Sequence, residues 1–285
     1  MFRKKISIAI PASVVSDTPH LREKTSKIGV IGRAAAIFRV DEIVIYPDKP
    51  ETNQTNETEL PTLLLSYMET PQYLRKSLFR LRPELQYAGI LPPLRTAHHP
   101  LQRRTEELRV GEYREGVTLP SNNREAHIDI GVEQPALLCN QKLPANKRIT
   151  VKVTHVDKNV EVELASRDEI HEYWGYKVIA EKRKFGAFVR GSKFDLTIAT
   201  SKSGTAFNDV KDKIADEWER AGTILVAFGS PSQGLPHIVS REDLRLEDIV
   251  DFVINTIPEQ GTETVRTEEA LIASMAVFSN LLSKA

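Results

Sequence analysis

The sequence has little cysteine, no excess of charge and no long apolar run. Cys139 is the single cysteine among 285 residues, which excludes an intramolecular disulfide and a cysteine-rich zinc site. Thirty-nine basic residues balance thirty-nine acidic ones, so the chain is not a polycation that coats nucleic acid through its overall field. Runs such as Leu63–Leu65 and Ile224–Phe228 are far shorter than the ~20 residues that cross a bilayer. With no apolar leader, these features predict a cytoplasmic protein without a membrane span.

Several familiar catalytic motifs are also missing. The chain has no phosphate-binding loop ending in Gly-Lys-Ser/Thr, no Gly-x-Gly-x-x-Gly fingerprint and no Gly-x-Ser-x-Gly elbow. His98, His99 and His127 lack partners at the spacing of metal ligands. The sequence therefore favours neither an NTPase, a dinucleotide enzyme nor a serine hydrolase, and it predicts no metal.

Both ends of the chain predict alternating strands and helices. Lys5–Pro11 has isoleucine at every second position, Lys24–Phe38 has apolar residues every three to four positions, and Glu42–Tyr46 is a short apolar strand. A strand, a helix and a strand in succession indicate a parallel unit. The polar stretch Lys49–Glu59 predicts an exposed loop. Strands and helices alternate again toward the C-terminus and end in a helix predicted over Thr267–Leu282.

The middle of the chain has a different composition. The two prolines within Ile90–Leu94 break any helix and predict a domain boundary. From Arg109 to Ala165, short β-branched runs alternate with turn residues, which is typical of a small barrel, and we favour the oligonucleotide-binding type. We therefore predict an α/β fold in which residues 1–91 and 166–285 form a parallel-sheet domain and residues 92–165 form an inserted all-β barrel.

Three small, polar, glycine-bearing segments follow the predicted C-terminal strands. They are Thr200–Gly204, Gly229–Leu235 and Asn255–Thr262. In open parallel sheets, ligands bind beyond the carboxyl ends of the strands. Glycine lets backbone amides approach a ligand, while Ser, Thr and Asn can form hydrogen bonds to it. Each segment alone could be a turn, but three in succession predict a ligand site.

A set of motifs includes two of these segments. Its members are Lys27–Ala35, Phe228–Leu235, and Ile254–Pro258 together with Thr264–Ala270. In this order they resemble the three motifs of the knotted SPOUT superfamily of RNA methyltransferases, and most closely the archaeal and eukaryotic branch that carries an inserted barrel. The resemblance implies a trefoil knot near the C-terminus, which is an exception to the general absence of knots. It also implies S-adenosylmethionine bound in the knot and a homodimer with the active site at its interface.

The resemblance assigns roles to particular residues. Arg33, on a helix that should end near the cofactor segments, is the leading catalytic candidate, and Arg266 is the second. A guanidinium can clamp a phosphate or stabilise negative charge, although it cannot act as a base at neutral pH. The alternatives are a solvated helix arginine for Arg33 and an ion pair with Glu268 or Glu269 for Arg266. The implied cofactor contacts are Thr200, Ser201, Lys202, Gly229, Asn255, Thr256, Gln260 and Val265.

The chain departs from the members that methylate ribose. Lys27 stands where those enzymes have Asn, and Thr262–Val265 stands where they have Ser-Leu-Asn. The branch that the chain resembles is proposed to methylate uridine at its ring nitrogen. The sequence therefore favours a base over the ribose 2′-hydroxyl as the methyl acceptor.

One cationic and aromatic segment favours contact with RNA. Tyr173, Trp174, Lys182, Arg183 and Lys184 combine charges that neutralise phosphates with rings that stack on bases. The alternative is a half-buried strand with charged hairpin tips.

The predicted C-terminal helix, apolar around much of its circumference, indicates a homodimer interface. The resulting hypothesis is a homodimeric, S-adenosylmethionine-dependent RNA methyltransferase whose barrel helps to capture the substrate. A non-catalytic RNA-binding protein that retains the knotted fold is the main alternative. An assembly factor whose barrel binds protein is a weaker one.

Overall fold

The computed structural model describes residues 4–49, 51–120, 125–139 and 141–282. The chain divides into two compact units. The first comprises Met1–Ser66, Glu84–Pro92 and Tyr176–Ala285, and the second comprises Tyr67–Pro83 and Pro93–Gly175. The second unit thus takes in residues 67–83 and 166–175, which the predicted limits of 92–165 for the barrel leave out.

The described elements are as follows in chain order. The strands are β1 (Lys5–Pro11), β2 (Glu42–Tyr46), β3 (Tyr113–Thr118), β4 (Ala126–Asp129), β5 (Ala136–Leu138), β6 (Arg148–Val156), β7 (Val160–Leu164), β8 (Lys177–Ala180), β9 (Leu196–Ala206), β10 (Thr223–Ala227) and β11 (Phe252–Asn255). The helices are α1 (Leu21–Ile37), α2 (Thr55–Glu69), α3 (Gln72–Leu78), α4 (Phe185–Arg190), α5 (Phe207–Arg220), α6 (Leu235–Ser240) and α7 (Thr267–Leu282). In the ranges given above, no helix is long and apolar enough to span a membrane.

The first unit is built on a six-stranded sheet with the order β11-β9-β10-β1-β2-β8. Every neighbouring pair of these strands is parallel. One set of strand residues packs with Phe185 of α4 and Ile238 of α6. The alternate positions, such as Ile8, Ile43 and Val226, are fully buried as well. Both faces are therefore covered, which explains the nearly continuous apolar runs of these strands and confirms the predicted α/β class.

The second unit contains a closed barrel with the order β3-β4-β5-β7-β6. Strands β5 and β7 are parallel, and the other neighbours, including the closing pair β3 and β6, are antiparallel. Its core is formed by small and β-branched residues such as Ala136, Val151 and Val162. The prediction of an inserted five-stranded barrel of the oligonucleotide-binding type is confirmed.

Helix α3 belongs to the barrel unit and is held there by Tyr73. The Tyr73 hydroxyl donates a hydrogen bond to the Glu115 carbonyl at 2.8 Å. The Tyr73 ring occupies the space that a Cβ atom at Gly131 would need, because the nearest ring carbon lies 2.5 Å from that position. Gly131 also has a φ of 84°, a conformation that L-residues with a side chain rarely adopt.

We expect Gly131→Ala to lower the free energy of unfolding of the barrel unit by about 2 kcal/mol or more, since it adds a steric clash to the cost of the positive φ. Gly111 is the matched control. It has a φ of 90°, and no atom lies within 4 Å of the position that a Cβ atom would take there, so Gly111→Ala isolates the backbone cost of about 1 kcal/mol. Urea unfolding measures both variants, and equal losses would contradict the role given to Tyr73.

The predicted loop over Lys49–Glu59 is wrong from Thr55 onward, where α2 begins. The side-chain oxygen of Asn53 accepts hydrogen bonds from the Thr55 amide at 3.0 Å and from its hydroxyl at 2.6 Å. Polar residues therefore cap the start of a helix here, although their polarity reads as a loop when only hydrophobic periodicity is considered.

Candidate functional site

A cavity of about 690 Å³ opens at the carboxyl edge of the sheet in the first unit. The three small-residue segments contribute most of its wall. All the residues that the resemblance linked to the cofactor lie on this wall: Thr200, Ser201, Lys202, Gly229, Asn255, Thr256, Gln260 and Val265. The structure thus brings together residues that are up to 65 positions apart in the sequence.

The first segment reaches the cavity because it leaves the sheet. Ala199 pairs with Val253 of β11, and the next pair joins Thr205 to Ile254. Residues 200–204 therefore bulge out of the ladder between these two pairs. The sequence predicted that the strand ends at Ala199, whereas β9 resumes its pairing and continues to Ala206.

The second segment is a tight turn after β10. The Ser230 amide donates to the Gln233 carbonyl at 2.8 Å, and the Thr267 hydroxyl at the start of α7 donates to the Gly229 carbonyl at 3.0 Å. A Cβ atom at Gly229 would lie 3.0 Å from the Gln233 carbonyl oxygen. A larger residue at this position would therefore distort the turn itself, and we do not expect Gly229→Val to leave the loop intact.

Side chains of the third segment mostly brace the loops. The Asn255 amide donates to the Lys202 carbonyl at 3.0 Å, and the Gln260 amide donates to the Thr262 carbonyl at 2.8 Å. The Thr256 hydroxyl lies 2.7 Å from the Ser274 hydroxyl of α7. These bonds fix the shape of the cavity. In the first segment the Thr200 hydroxyl donates to the Ala227 carbonyl at 2.9 Å, and the Ser201 and Ser203 hydroxyls lie 3.0 Å apart, so the segments offer a ligand mainly their backbone groups.

A second, polar cavity of about 370 Å³ lies beside the first half of α1. Arg266 lines this cavity, whereas its neighbours Val265 and Thr267 line the larger one. Residues 265–267 therefore separate the two cavities. The other lining residues are Asp17, Thr18, Pro19, Glu23, Ser26 and Lys27.

The charges of the polar cavity are partly paired. Lys27 Nζ lies 2.7 Å from Asp17 Oδ2 and 4.0 Å from Glu268 Oε1. Burial raises the pKa of Asp17, but the hydrogen bonds from Lys27 and Thr18 outweigh it and lower the pKa overall. The exposed Arg266 guanidinium has no ion pair with any described carboxylate, and only the Arg266 amide donates to Glu269, at 3.0 Å. The alternative of an Arg266 ion pair with Glu268 or Glu269 is therefore not observed.

Arg33 lies in the second half of α1, half-buried and engaged in an interaction. It is on the wall of neither cavity. The sequence placed the end of this helix near the cofactor segments, which is wrong: the Asp41 amide beyond the helix donates to the carbonyl of Ile6, near the start of β1. Helix α1 runs antiparallel to the strands, so its beginning, with Lys27, lies at the carboxyl edge.

The residues predicted to contact RNA separate into two groups. Lys182, Arg183 and Lys184 are exposed after β8, and the Arg183 guanidinium lies 2.7 Å from Glu181. Tyr173 and Trp174, in the other unit, are 9% and 7% exposed. Their rings are not available for stacking in this structure, which corrects the interpretation of residues 173 and 174 as an exposed aromatic surface.

Trp174 is instead part of a buried ionic network in the barrel unit. Its indole N–H donates to Glu115 at 2.6 Å. Arg148 bridges the two buried carboxylates, with its Nη1 atom 2.6 Å from Glu69 Oε2 and its Nε atom 2.6 Å from Glu115 Oε2. Burial raises the pKa of both carboxyl groups, but their hydrogen bonds and the Arg148 charge lower both overall. Sequence polarity alone did not reveal this network, because its members are far apart in the chain.

The barrel unit should lose stability as the pH falls from neutral. Burial, with the neighbouring His98, lowers the pKa of His99 to about 4, against an ordinary value of about 6.5 in the unfolded chain. The folded state therefore binds fewer protons, so this contribution is complete above about pH 6.5 and is lost as the pH falls to 4, by about 3 kcal/mol.

Chemical unfolding at a series of pH values tests this expectation. His99 Nε2 lies 2.8 Å from the Glu69 carbonyl oxygen, and a glutamine amide can still donate to that oxygen. His99→Gln should therefore flatten the dependence between pH 6.5 and 4, while the exposed control His155→Gln should not. A slope unchanged in the His99 variant would refute the assignment.

Among the residues placed in the structure, no group of three or more His, Cys, Asp or Glu could hold a metal ion.

Comparison with known proteins shows which family this chain belongs to. Residues 5–278 match the family described as "Putative RNA methyltransferase". The 28S rRNA (uridine-N(3))-methyltransferase of Homo sapiens is 32% identical over 303 residues, which cover 96% of this chain and 77% of that protein. The protein of the same name from Drosophila melanogaster is 30% identical over 312 residues, or 97% and 62% of the two chains. An uncharacterized protein of Haloarcula marismortui is 31% identical over 289 residues, or 96% and 98%.

Proposed function

Because this chain belongs to the RNA methyltransferase family that matches residues 5–278, we propose that it transfers a methyl group from S-adenosylmethionine to the N3 atom of a uridine in ribosomal RNA. The observation that carries this proposal is the cavity at which residues from all three C-terminal segments meet. The choice of substrate follows the animal relatives, which are named as 28S rRNA (uridine-N(3))-methyltransferases.

The cavity suits a cofactor of this class. Its volume of about 690 Å³ falls within the ~300–1,000 Å³ of ordinary small-molecule sites. Its wall combines backbone groups of tight turns with hydroxyls and the apolar Val265, so it can enclose an adenosine and hold polar ribose and amino-acid groups. We propose Thr200, Ser201, Lys202, Gly229, Thr256 and Val265 as contacts, with Asn255 and Gln260 holding the loops.

When bound, S-adenosylmethionine supplies a methyl group that its sulfonium charge already activates. The remaining task of the protein is to align the uridine, exclude water and favour the loss of the N3 proton. As that proton leaves, negative charge spreads onto the base oxygens. Arg266 is a cation on the cavity next to the cofactor cavity, and we propose that it stabilises this charge.

We further propose a trefoil knot and a homodimer. Strand β11 lies at the edge of the sheet, with β9 between it and β10. After β11 the chain crosses back to the end of β10, where the Thr267 hydroxyl donates a hydrogen bond to the Gly229 carbonyl. This crossing supports the knot. The dimer is supported by exposed apolar residues on two helices. On α7, Ile272 is 42% exposed and Ala276 is exposed as well. On α1, the half-exposed Val30 and Arg33 share one face with the exposed Ile37, at spacings of three and four residues. In such a dimer Arg33 serves the site of the partner subunit, since it is absent from both cavity walls of its own chain.

The dimer makes a direct prediction. Ile272→Glu places a charge on the proposed interface and should shift sedimentation from a dimer to a monomer of 32.1 kDa at micromolar concentration. Leu164→Glu is the control, since Leu164 is also 42% exposed but lies in the barrel unit. A wild-type chain that sediments as a monomer at all concentrations would refute the dimer, and with it the role of Arg33.

Two experiments test the activity. Calorimetry with S-adenosylmethionine should show binding, and labelled methyl should appear in the ribosomal fraction of total RNA, as N3-methyluridine after nuclease digestion. Binding of RNA without methyl transfer would favour the alternative of a non-catalytic RNA-binding protein. We propose that the barrel and the exposed Lys182, Arg183 and Lys184 assist RNA capture. We also propose that the protein works in the cytoplasm, a proposal supported by its single cysteine.

A further inference from the structure

A strongly basic segment lies outside both cavities, in the barrel unit. Residues 70–83 contain four cations and no carboxylate, in a chain whose basic and acidic residues balance. This differs from the stretch around Arg104 in the same unit, where Arg104 pairs with Glu106 at 3.2 Å. The four cations are Arg75, Lys76, Arg80 and Arg82.

One of these cations serves the fold. Arg75 donates from Nε to the Thr70 carbonyl at 2.9 Å and from Nη2 to the Met68 carbonyl at 3.0 Å. It thereby satisfies carbonyl groups at the end of α2, and its guanidinium also lies 4.6 Å from the centre of the Tyr67 ring. Arg75 is therefore not available to a partner.

Lys76 and Arg80 are arranged differently. Both are exposed, and neither forms an ion pair with any residue that the structure describes. Leu81 between the last two arginines is 105% exposed, so it contributes nothing to the core. Two cations without a described counter-charge, beside a fully exposed leucine, make this surface locally positive and leave it accessible to an anionic partner.

The segment that carries these residues is firmly held. Leu74 of α3 is fully buried, Tyr73 is bonded to the Glu115 carbonyl, and the Phe79 and Tyr67 rings meet edge to face at 5.2 Å. The cations therefore project from a fixed base, and a partner need not order the backbone when it binds.

We propose that Lys76, Arg80 and Leu81, the basic tract, bind the sugar-phosphate backbone of the substrate RNA. This inference rests on the proposed function, which supplies a polyanionic substrate. Lys76 and Arg80 contact phosphates, and Leu81 packs against a base in an unpaired region. An anionic membrane would match the charges too, but RNA is favoured because the family acts on it.

The test compares the variant Lys76→Gln/Arg80→Gln with the matched variant Lys211→Gln/Arg220→Gln, which removes one exposed lysine and one exposed arginine from α5. The probes are labelled oligouridine and labelled duplex RNA, titrated between about 50 and 200 mM salt. The tract variant should bind both probes on the order of 10-fold more weakly and lower the salt slope by about 1.5. Leu81→Ser should weaken oligouridine binding alone.

Three further readouts keep the outcomes distinct. Calorimetry with S-adenosylmethionine and the melting temperature should be unchanged in the tract variant. Equal RNA affinity and salt slope in the tract and matched variants would overturn the basic tract while the proposed function stands. If the tract variant lost binding to phosphatidylserine vesicles but bound RNA as wild type does, the proposed RNA contact would be overturned in favour of a membrane contact. A wild-type protein that binds RNA through the tract but transfers no methyl would refute the proposed activity alone.

Discussion

Replacing Arg266 with alanine is expected to lower the rate of methyl transfer by about 100-fold or more, the usual loss when one preorganised charge-stabilising donor is removed. The reason is its position. Arg266 lines the polar cavity, its guanidinium has no ion pair with any described residue, and it adjoins residues of the larger cavity. The affinity for S-adenosylmethionine should change little. Single-turnover transfer and calorimetry measure the two quantities separately.

The neighbouring residue provides the control. Val265 lines the larger cavity, so Val265→Ala should weaken cofactor binding by removing apolar contact, with a smaller effect on the rate at saturating cofactor. Arg266→Lys should restore much of the rate if a positive charge is sufficient, and little if a bidentate contact is required. Normal methyl transfer by Arg266→Ala would refute the proposed role of Arg266. An equal loss of cofactor affinity in Arg266→Ala and Val265→Ala would refute it as well.

Much of the first unit could be predicted because its signals are local. The alternating isoleucines of β1 and the run Glu42–Tyr46 gave strands that the structure reproduces, and the small-residue segments meet at one cavity. Strand β9 shows the limit. Hydrophobic periodicity ends at Ala199, but the strand resumes after a bulge because Ile254 pairs with Thr205, and pairing between distant segments leaves no local trace.

The aromatic and basic candidates for RNA contact show a second limit. Trp174 and Lys184 lie in one mixed cationic and aromatic stretch of the sequence, yet Trp174 is buried and Lys184 exposed. The difference arises from Glu115, whose carboxylate accepts the indole N–H inside the barrel unit. A buried acid far away in the sequence can satisfy a polar aromatic residue, so a mixed cationic and aromatic segment does not by itself identify a surface.

Arg148→Ala is expected to give the largest loss of stability, about 3–5 kcal/mol in the barrel unit. The substitution leaves Glu69 and Glu115 buried, at 5% and 1% exposed, without the cation that contacts both at 2.6 Å. Breaking a buried pair costs more than the pair contributes, because the remaining charges stay desolvated. Urea unfolding monitored by tryptophan fluorescence measures the loss.

Arg167 provides the matched control within the same network. Its guanidinium contacts the same carboxylates at 3.5 Å and 3.4 Å, and its side chain is 31% exposed. Arg167→Ala should therefore cost clearly less than Arg148→Ala, about 1 kcal/mol. Similar losses in both variants would contradict the view that Arg148 is the bridge.

The pH dependence of the Arg148→Ala effect distinguishes lost ion pairing from a simple cavity. In the wild-type chain the network lowers the pKa of Glu69 and of Glu115, so the stability that they contribute is present above their unfolded pKa of about 4.3 and is lost as the pH falls through the folded values. Without Arg148, fewer contacts oppose the effect of burial, so the pKa of both carboxyl groups should rise and they should take up protons before wild type does. The stability difference should therefore shrink between pH 7 and 4. A cavity would give a difference that does not depend on pH.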